Sequence, residues 1–262
     1  MSVMTFSDLS LPSVLPEDAA PLVATVAGSV LLPGDTGYDD ERAVWNLNHE
    51  LVPAVIVVPE SAADVQAAVT FAAGQHRPVL VKTTGHQIVG QAHGAVVIAT
   101  QRMNDVAIDA VGRTARVGAG AIWSAVVEKA AKAGLAPLNG SNPTVGVAGY
   151  TLGGGLSPTL GRSHGYAADH VRSLDVVTAD GELRHVDAES EPELFWALRG
   201  GKGNFGVGRR TTCCAKLSMK VCGRTSRRRM SAARSQTRNP PNPSARLPEQ
   251  SGPGPADGQH LP

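Results

Sequence analysis

Residues 81–90, V-K-T-T-G-H-Q-I-V-G, leave an apolar run and turn at glycine. In that arrangement consecutive backbone N–H groups can converge on a phosphate. The same residues also fit an ordinary strand-to-loop turn with a surface histidine, His86. A second segment, residues 140–156 (G-S-N-P-T-V-G-V-A-G-Y-T-L-G-G-G-L), has a glycine triplet at Gly153, Gly154 and Gly155. Glycine there lets a bulky charged group approach the backbone. The spacing does not fit the dinucleotide fingerprint G-x-G-x-x-G between a strand and a helix. Asp169 and Asp175 flank the start of an expected strand and read as its polar ends. His93, His164, His170 and His185 lack metal-ligand spacing together, so no metal site is expected. Tyr150 fits either a packed tyrosine or one facing a ligand.

The elements that would position these loops follow from pattern. Residues 54–58 (AVIVV), 78–81 (PVLV) and 95–99 (AVVIA) read as buried strands. Ser61 is the expected N-cap of a helix with Val65, Ala68, Val69 and Ala72 on one face, stopping at Gly74. Residues 114–117 predict a strand, and residues 122–133 a helix ended by Gly134. Asp180-Gly181 marks a hairpin between strands at 174–178 and 182–186. Ser190 is the expected cap of a short helix over SEPELFWAL. Residues 140–165 hold eight glycines, too many for a stable helix or central strand, and predict a functional loop. Residues 1–37 read as a lead-in arm or short helix rather than a core element.

The chain has 262 residues and a formal net charge of +1, which averages two unlike parts. Before Gly208 there are 13 Lys+Arg and 21 Asp+Glu; from Gly208 onward there are 11 and 2. Cys213, Cys214 and Cys222 all follow that point, so the acidic part has no cysteine for a disulfide and suits a reducing compartment. With no basic region ahead of a long apolar run and no stretch of roughly 18 apolar residues, the expectation is a soluble, cytoplasmic protein with no membrane partner.

Three motifs occur in order: T-G-H at 84–86, P-T-V-G-V-A-G-Y-T-L-G-G-G at 143–155, and R-G-G-K-G-N-F-G-V at 199–207. With D-D-E-R-A-V-W-N at 39–46 and R-S-H-G-Y-A-A-D-H-V at 162–171, the chain resembles bacterial FAD-linked oxidases of the berberine-bridge-enzyme-like branch of the vanillyl-alcohol-oxidase superfamily. The resemblance runs nearly continuously over residues 38–207. It implies an α+β fold, an FAD-binding PCMH-type domain of two α+β subdomains with the ADP part of FAD between them. It places Lys82, Thr83, Thr84, Gly85, Gln87 and Gly90 in the pyrophosphate loop. Thr144, Gly146, Gly149, Tyr150, Gly153, Gly154 and Gly155 fall on the other side of the dinucleotide, and Asn204, Gly206 and Val207 on a late FAD-contacting strand. His86 matches the histidine that bonds the flavin 8α carbon in many members. The common family loop is R-x-G-G-H-S; Lys82 keeps the charge but loses bidentate geometry. Some members add a cysteinyl link just before P-T-V-G, where this chain has Asn142, so a single histidyl link is expected.

Family members continue after this point into a substrate domain that caps the flavin. Residues 208–262 instead form a basic, Pro/Ser/Arg/Gln-rich stretch without aromatics or apolar periodicity, the composition of a disordered tail. Of two accounts, a basic arm for anionic partners and an out-of-frame translation, the abrupt end of the resemblance favours the second. The implied function is hydride transfer from a small organic substrate to covalent FAD in the intact relative. A flavin-binding fragment without turnover is the alternative, and a basic-tailed nucleic-acid-binding protein a more distant one. Substrate, catalytic acid or base, and oligomeric state are not legible.

Overall fold

The computed structural model describes residues 13–88, 92–214 and 217–218, all within one unit, residues 1–220. Helix α1 (Pro16–Thr25) opens on a proline with Glu17 and Asp18 in its first turn, a start favoured by fixed φ and by the helix dipole. Strand β1 (Ser29–Leu31) follows and pairs antiparallel with β2 (Val55–Val58). The short helix allowed for in residues 1–37 is present, but it is a core element, against expectation. Val14, Ala19, Leu22 and Val26 belong to the largest core cluster. Their helical spacing is masked in the sequence by Pro21 and Gly28. Glycine is required at 28, where a Cβ would lie 2.1 Å from Val58 O.

Helix α2 (Tyr38–Arg42) precedes β2, and Tyr38 donates its hydroxyl to Pro53 O at 2.6 Å. Helix α3 (Ala62–Gly74) has the expected cap, with Ser61 Oγ accepting from Asp64 N at 3.2 Å, and the expected buried face. It stops at Gly74 as expected, although the left-handed residue that follows is His76, at φ 51°. Strands β3 (Val79–Lys82) and β4 (Val96–Ala99) complete a sheet ordered β1-β2-β4-β3, in which β4 runs parallel to both neighbours. Every residue of β2 and β4 is buried, as parallel strands covered on both faces should be.

The second half starts with β5 (Val106–Asp109), β6 (Thr114–Gly118), helix α4 (Trp123–Lys132) and β7 (Leu135–Ala136). Gly134 ends α4 at φ 69°. The glycine-dense stretch is not the continuous loop expected. It folds as two short helices, α5 (Val147–Leu152) and α6 (Gly161–His164): apart from Gly149 within α5, its glycines fall at or between the helix ends, while Val147 and Leu152 bury. Strands β8 (Val171–Val177) and β9 (Leu183–Asp187) form the expected hairpin, with Gly181 at φ 80°. Helix α7 (Pro192–Gly201) is preceded by Glu191 at φ 54° with no side-chain cap. Ser190 is not the cap: its N–H donates to Asp187 Oδ1 and its hydroxyl to His185 O, which keeps it in the turn.

Strand β10 (Val207–Cys214) corrects the boundary at Gly208. It lies between β6 and β8 in a five-stranded antiparallel sheet ordered β5-β6-β10-β8-β9. Alternation over its second half explains it: Thr211 and Cys213 are buried while Arg210 and Thr212 are half-exposed, a period-two pattern that the change of charge concealed. Strand β11 (Leu217–Ser218) pairs with β7. The expected disordered stretch otherwise lies outside the described residues. Val177 and Val207 of the second sheet join Val57, Val96 and Ile98 of the first in one core cluster, so an α+β fold of two joined layers carries the loops. No helix among the described residues is long and apolar enough to cross a membrane.

Candidate functional site

The first loop leaves β3 at Lys82, which is 5% exposed and donates Nζ to Glu41 O at 2.5 Å. Burial holds its ammonium pKa below the ordinary lysine value, opposed by the charge of Glu41. Thr83 Oγ1 donates to Ala119 O at 3.2 Å and meets Thr100 Oγ1 at 2.8 Å, fastening the loop to the residue after β6. Gly85 turns the chain at φ 69°, and a Cβ there would lie 3.1 Å from Val44 Cα. This close approach lets Trp45 N donate to Gly85 O at 3.2 Å. The Trp45 ring then stacks on His86, centroids 4.5 Å apart and planes 13° from parallel. His86 Nδ1 lies 3.1 Å from Thr84 Oγ1, while Nε2 is buried and has no partner among the described residues.

The glycine-dense segment runs beside this loop. At one end of α5, a Cβ on Gly146 would lie 3.0 Å from Thr83 Cγ2; at the other, a Cβ on Gly153 would lie 2.3 Å from Lys202 Cε. Lys202 Nζ donates to Gln87 Oε1 at 2.7 Å, joining the last motif to the first. Thr144 is held by Asn142, whose Oδ1 accepts from Thr144 N and Oγ1 at 2.9 and 2.8 Å. Gly149 faces open space. Gly154 and Gly155 have φ of 104° and 67°, and a Cβ on Gly155 would lie 2.6 Å from Tyr150 Cε1. Tyr150 packs edge-on to Trp123, centroids 5.4 Å apart, with its hydroxyl buried and unpartnered among the described residues. Burial raises its pKa.

The third motif is placed differently. Asn204 Nδ2 donates to Gly201 O at 2.9 Å within its own turn. A Cβ on Gly206 would lie 2.7 Å from Val177 O, and Val207 is buried in the shared core. The structure therefore brings the first loop, Thr83 to Gln87, against both ends of α5, Gly146 through Thr83 and Gly153 through Lys202, and leaves Val207 in the core. Gly90 lies outside the described residues. Asp169 accepts from Tyr166 N at 3.3 Å in the turn before β8, whereas Asp175, expected as a polar strand end, lies inside β8 and accepts from His185 Nδ1 of β9 at 2.7 Å. Residue patterns missed Trp45, Thr100 and Lys202. Trp45 and Lys202 sit inside quoted motifs, where the aromatic ring and the charge among glycines were the available signals. Thr100 had none.

Residues 53–187 match the model of an FAD binding domain family, and the chain belongs to that family. Its relatives are FAD-linked oxidoreductases. The (R)-6-hydroxynicotine oxidase of Paenarthrobacter nicotinovorans is 37% identical over 191 residues, covering 72% of this chain and 41% of that one. The solved structure of BBE-like 1 from Physcomitrella patens superposes with a TM-score of 0.69 at 27% identity, over 74% of this chain and 43% of that one. A glucooligosaccharide oxidase from Acremonium strictum, described as carrying 6-S-cysteinyl, 8α-N1-histidyl FAD, gives 0.70 at 28%, over 75% and 42%. The chain thus spans about two fifths of the length of these relatives.

One feature of the site suits FAD: His86 Nε2 is buried without a partner among the described residues, which leaves an imidazole nitrogen available as a nucleophile. Glycines at 85, 146 and 153 are needed for the loops themselves, which pack against Val44, Thr83 and Lys202 there.

Proposed function

We propose that this chain binds FAD where the first loop meets α5, with one covalent link from His86 to the flavin 8α carbon. The observation that carries the reading is His86 itself. Its ring is clamped by Trp45, its Nδ1 is oriented by Thr84, and its Nε2 is buried without a partner. Thr83 to Gln87 and Gly146 to Gly155 would border the diphosphate and adenosine. The cofactor, when bound, supplies the hydride acceptor. The protein's part is to hold it, orient it and exclude water. No second, cysteinyl link is expected at position 142, because Asn142 has no thiol to form it. In the intact relative the reaction would be oxidation of a small organic molecule.

The test is a single preparation. The full chain expressed with ample flavin should be yellow, retain its colour in the acid-precipitated pellet, and yield one flavin-bearing peptide that contains His86. His86→Ala should release the flavin into the acid supernatant. Colourless protein, or colour retained by His86→Ala, would overturn the reading. Anaerobic bleaching with candidate alcohols and sugars then separates an enzyme from a flavin carrier without turnover.

A further inference from the structure

Lys202 stands at φ 54°, ψ −134°, a left-handed conformation that costs a residue bearing a Cβ. Glycines at 200, 201 and 203 surround it and show that the local sequence had the unstrained choice at hand. What the lysine gains is reach. Its stem crosses Gly153, where a Cβ would collide with Cε at 2.3 Å, and its ammonium ends 2.7 Å from Gln87 Oε1. Gly153 and Lys202 are thus fitted to each other across two separate motifs. Among the described residues no carboxylate lies within ion-pair reach of this ammonium. A neutral amide is a weak partner for a full positive charge.

The cation of the first loop is already committed. Lys82, which the first motif offers as the phosphate ligand, is buried with Nζ on Glu41 O at 2.5 Å. We propose that Lys202 is the cation that binds the cofactor's diphosphate, its ammonium exchanging Gln87 Oε1 for a phosphate oxygen. This rests on FAD lying beside His86. The strained backbone at 202 is then a cost tolerated to place one charge where α5 and the first loop meet.

The test uses the full chain carrying His86→Ala, so that binding is reversible, titrated with FAD and with riboflavin, which lacks phosphate. Lys202→Met should weaken FAD at least about tenfold, flatten the salt dependence of FAD affinity, and leave riboflavin affinity unchanged. Lys202→Arg should restore most of the loss. Lys202→Gly, which relieves the backbone, should lose FAD affinity like Lys202→Met while melting no lower than the parent. Unchanged FAD affinity in Lys202→Gly, or equal loss of FAD and riboflavin in a folded Lys202→Met, overturns the proposal alone. A parent that binds neither flavin overturns the reading on which it rests, and the proposal with it.

Discussion

The two sheets of this domain are built by opposite rules. In the first, β2 and β4 are parallel and buried at every position, so both faces are dry and the strands are unbroken β-branched runs. In the second, all pairings are antiparallel and burial alternates, as in β6 and β5. The buried parallel strands of the first sheet carry their identity in local composition, whereas its antiparallel edge strand β1 does not. The second sheet carries it in pairing across the chain: β10 finds its place only by lying between β6 and β8.

The sharpest way to break this contrast is to delete the same amount of side chain from each sheet. Ile98→Ala in β4 and Leu174→Ala in β8 both act at positions no more than 2% exposed, and each should cost about 2–5 kcal/mol. Val177 and Val207 share a cluster with Ile98, so both variants should unfold in one transition in denaturant, by tryptophan fluorescence and far-UV circular dichroism alike. Two separated transitions would mean that the sheets are independent units and that the shared cluster does not couple them.

This contrast also explains how much was legible. The runs at 54–58 and 95–99 and the Ser61 cap were readable because each is satisfied within a few residues. The hairpin at Asp180-Gly181 was readable because its turn geometry is local too. By contrast, α1 and β1 are core elements through Asp64, a partner some 36 residues away in sequence, and β10 through strands on either side. At the site, the motifs predicted His86 and the Gly146 to Gly153 border. They did not predict that Lys82 turns to Glu41, or that Trp45 covers the imidazole. Both depend on how α2 and the segment after it dock on the first loop.

Asp64 tests that long-range dependence with a smaller effect. It is 2% exposed, and its carboxylate accepts from Ala27 N, Gly28 N, Glu60 N and Ser61 Oγ. Burial pushes its pKa up, but those hydrogen bonds outweigh it, and the net shift is below the ordinary aspartate value. Asp64→Ala leaves the donors unpaired and should cost about 1–3 kcal/mol. The sign of the pH effect follows from a depressed folded-state pKa. The contribution is complete above the unfolded pKa, about 4, and fades as pH falls through the lower folded value. Stability of the parent measured from pH 6 down to 2 should therefore converge on that of Asp64→Ala. A gap that stays constant across this range would assign the loss to packing rather than to the carboxylate.

The smallest effect is expected on the second sheet's hairpin, although its charges are the more numerous. Arg184 pairs with Asp180 at 2.6 Å, Glu182 at 3.1 Å and Glu191 at 3.2 Å. Hydrogen bonds from Thr178 and Arg184 hold the Asp180 carboxyl well below the usual carboxylate range. Yet these groups are open to water, where solvent and salt screen their attraction and ordering the side chains opposes it. Arg184→Ala should shift the melting temperature far less than Asp64→Ala does, and the small difference should shrink further in molar salt. The Asp180-Gly181 turn and the backbone ladder of β8 and β9 are what hold the hairpin. A loss as large as that of Asp64→Ala, persisting at high salt, would show instead that the hairpin depends on its ion pairs, and the rule separating the locally encoded parallel strands of the first sheet from a pairing-encoded second would need a third ingredient.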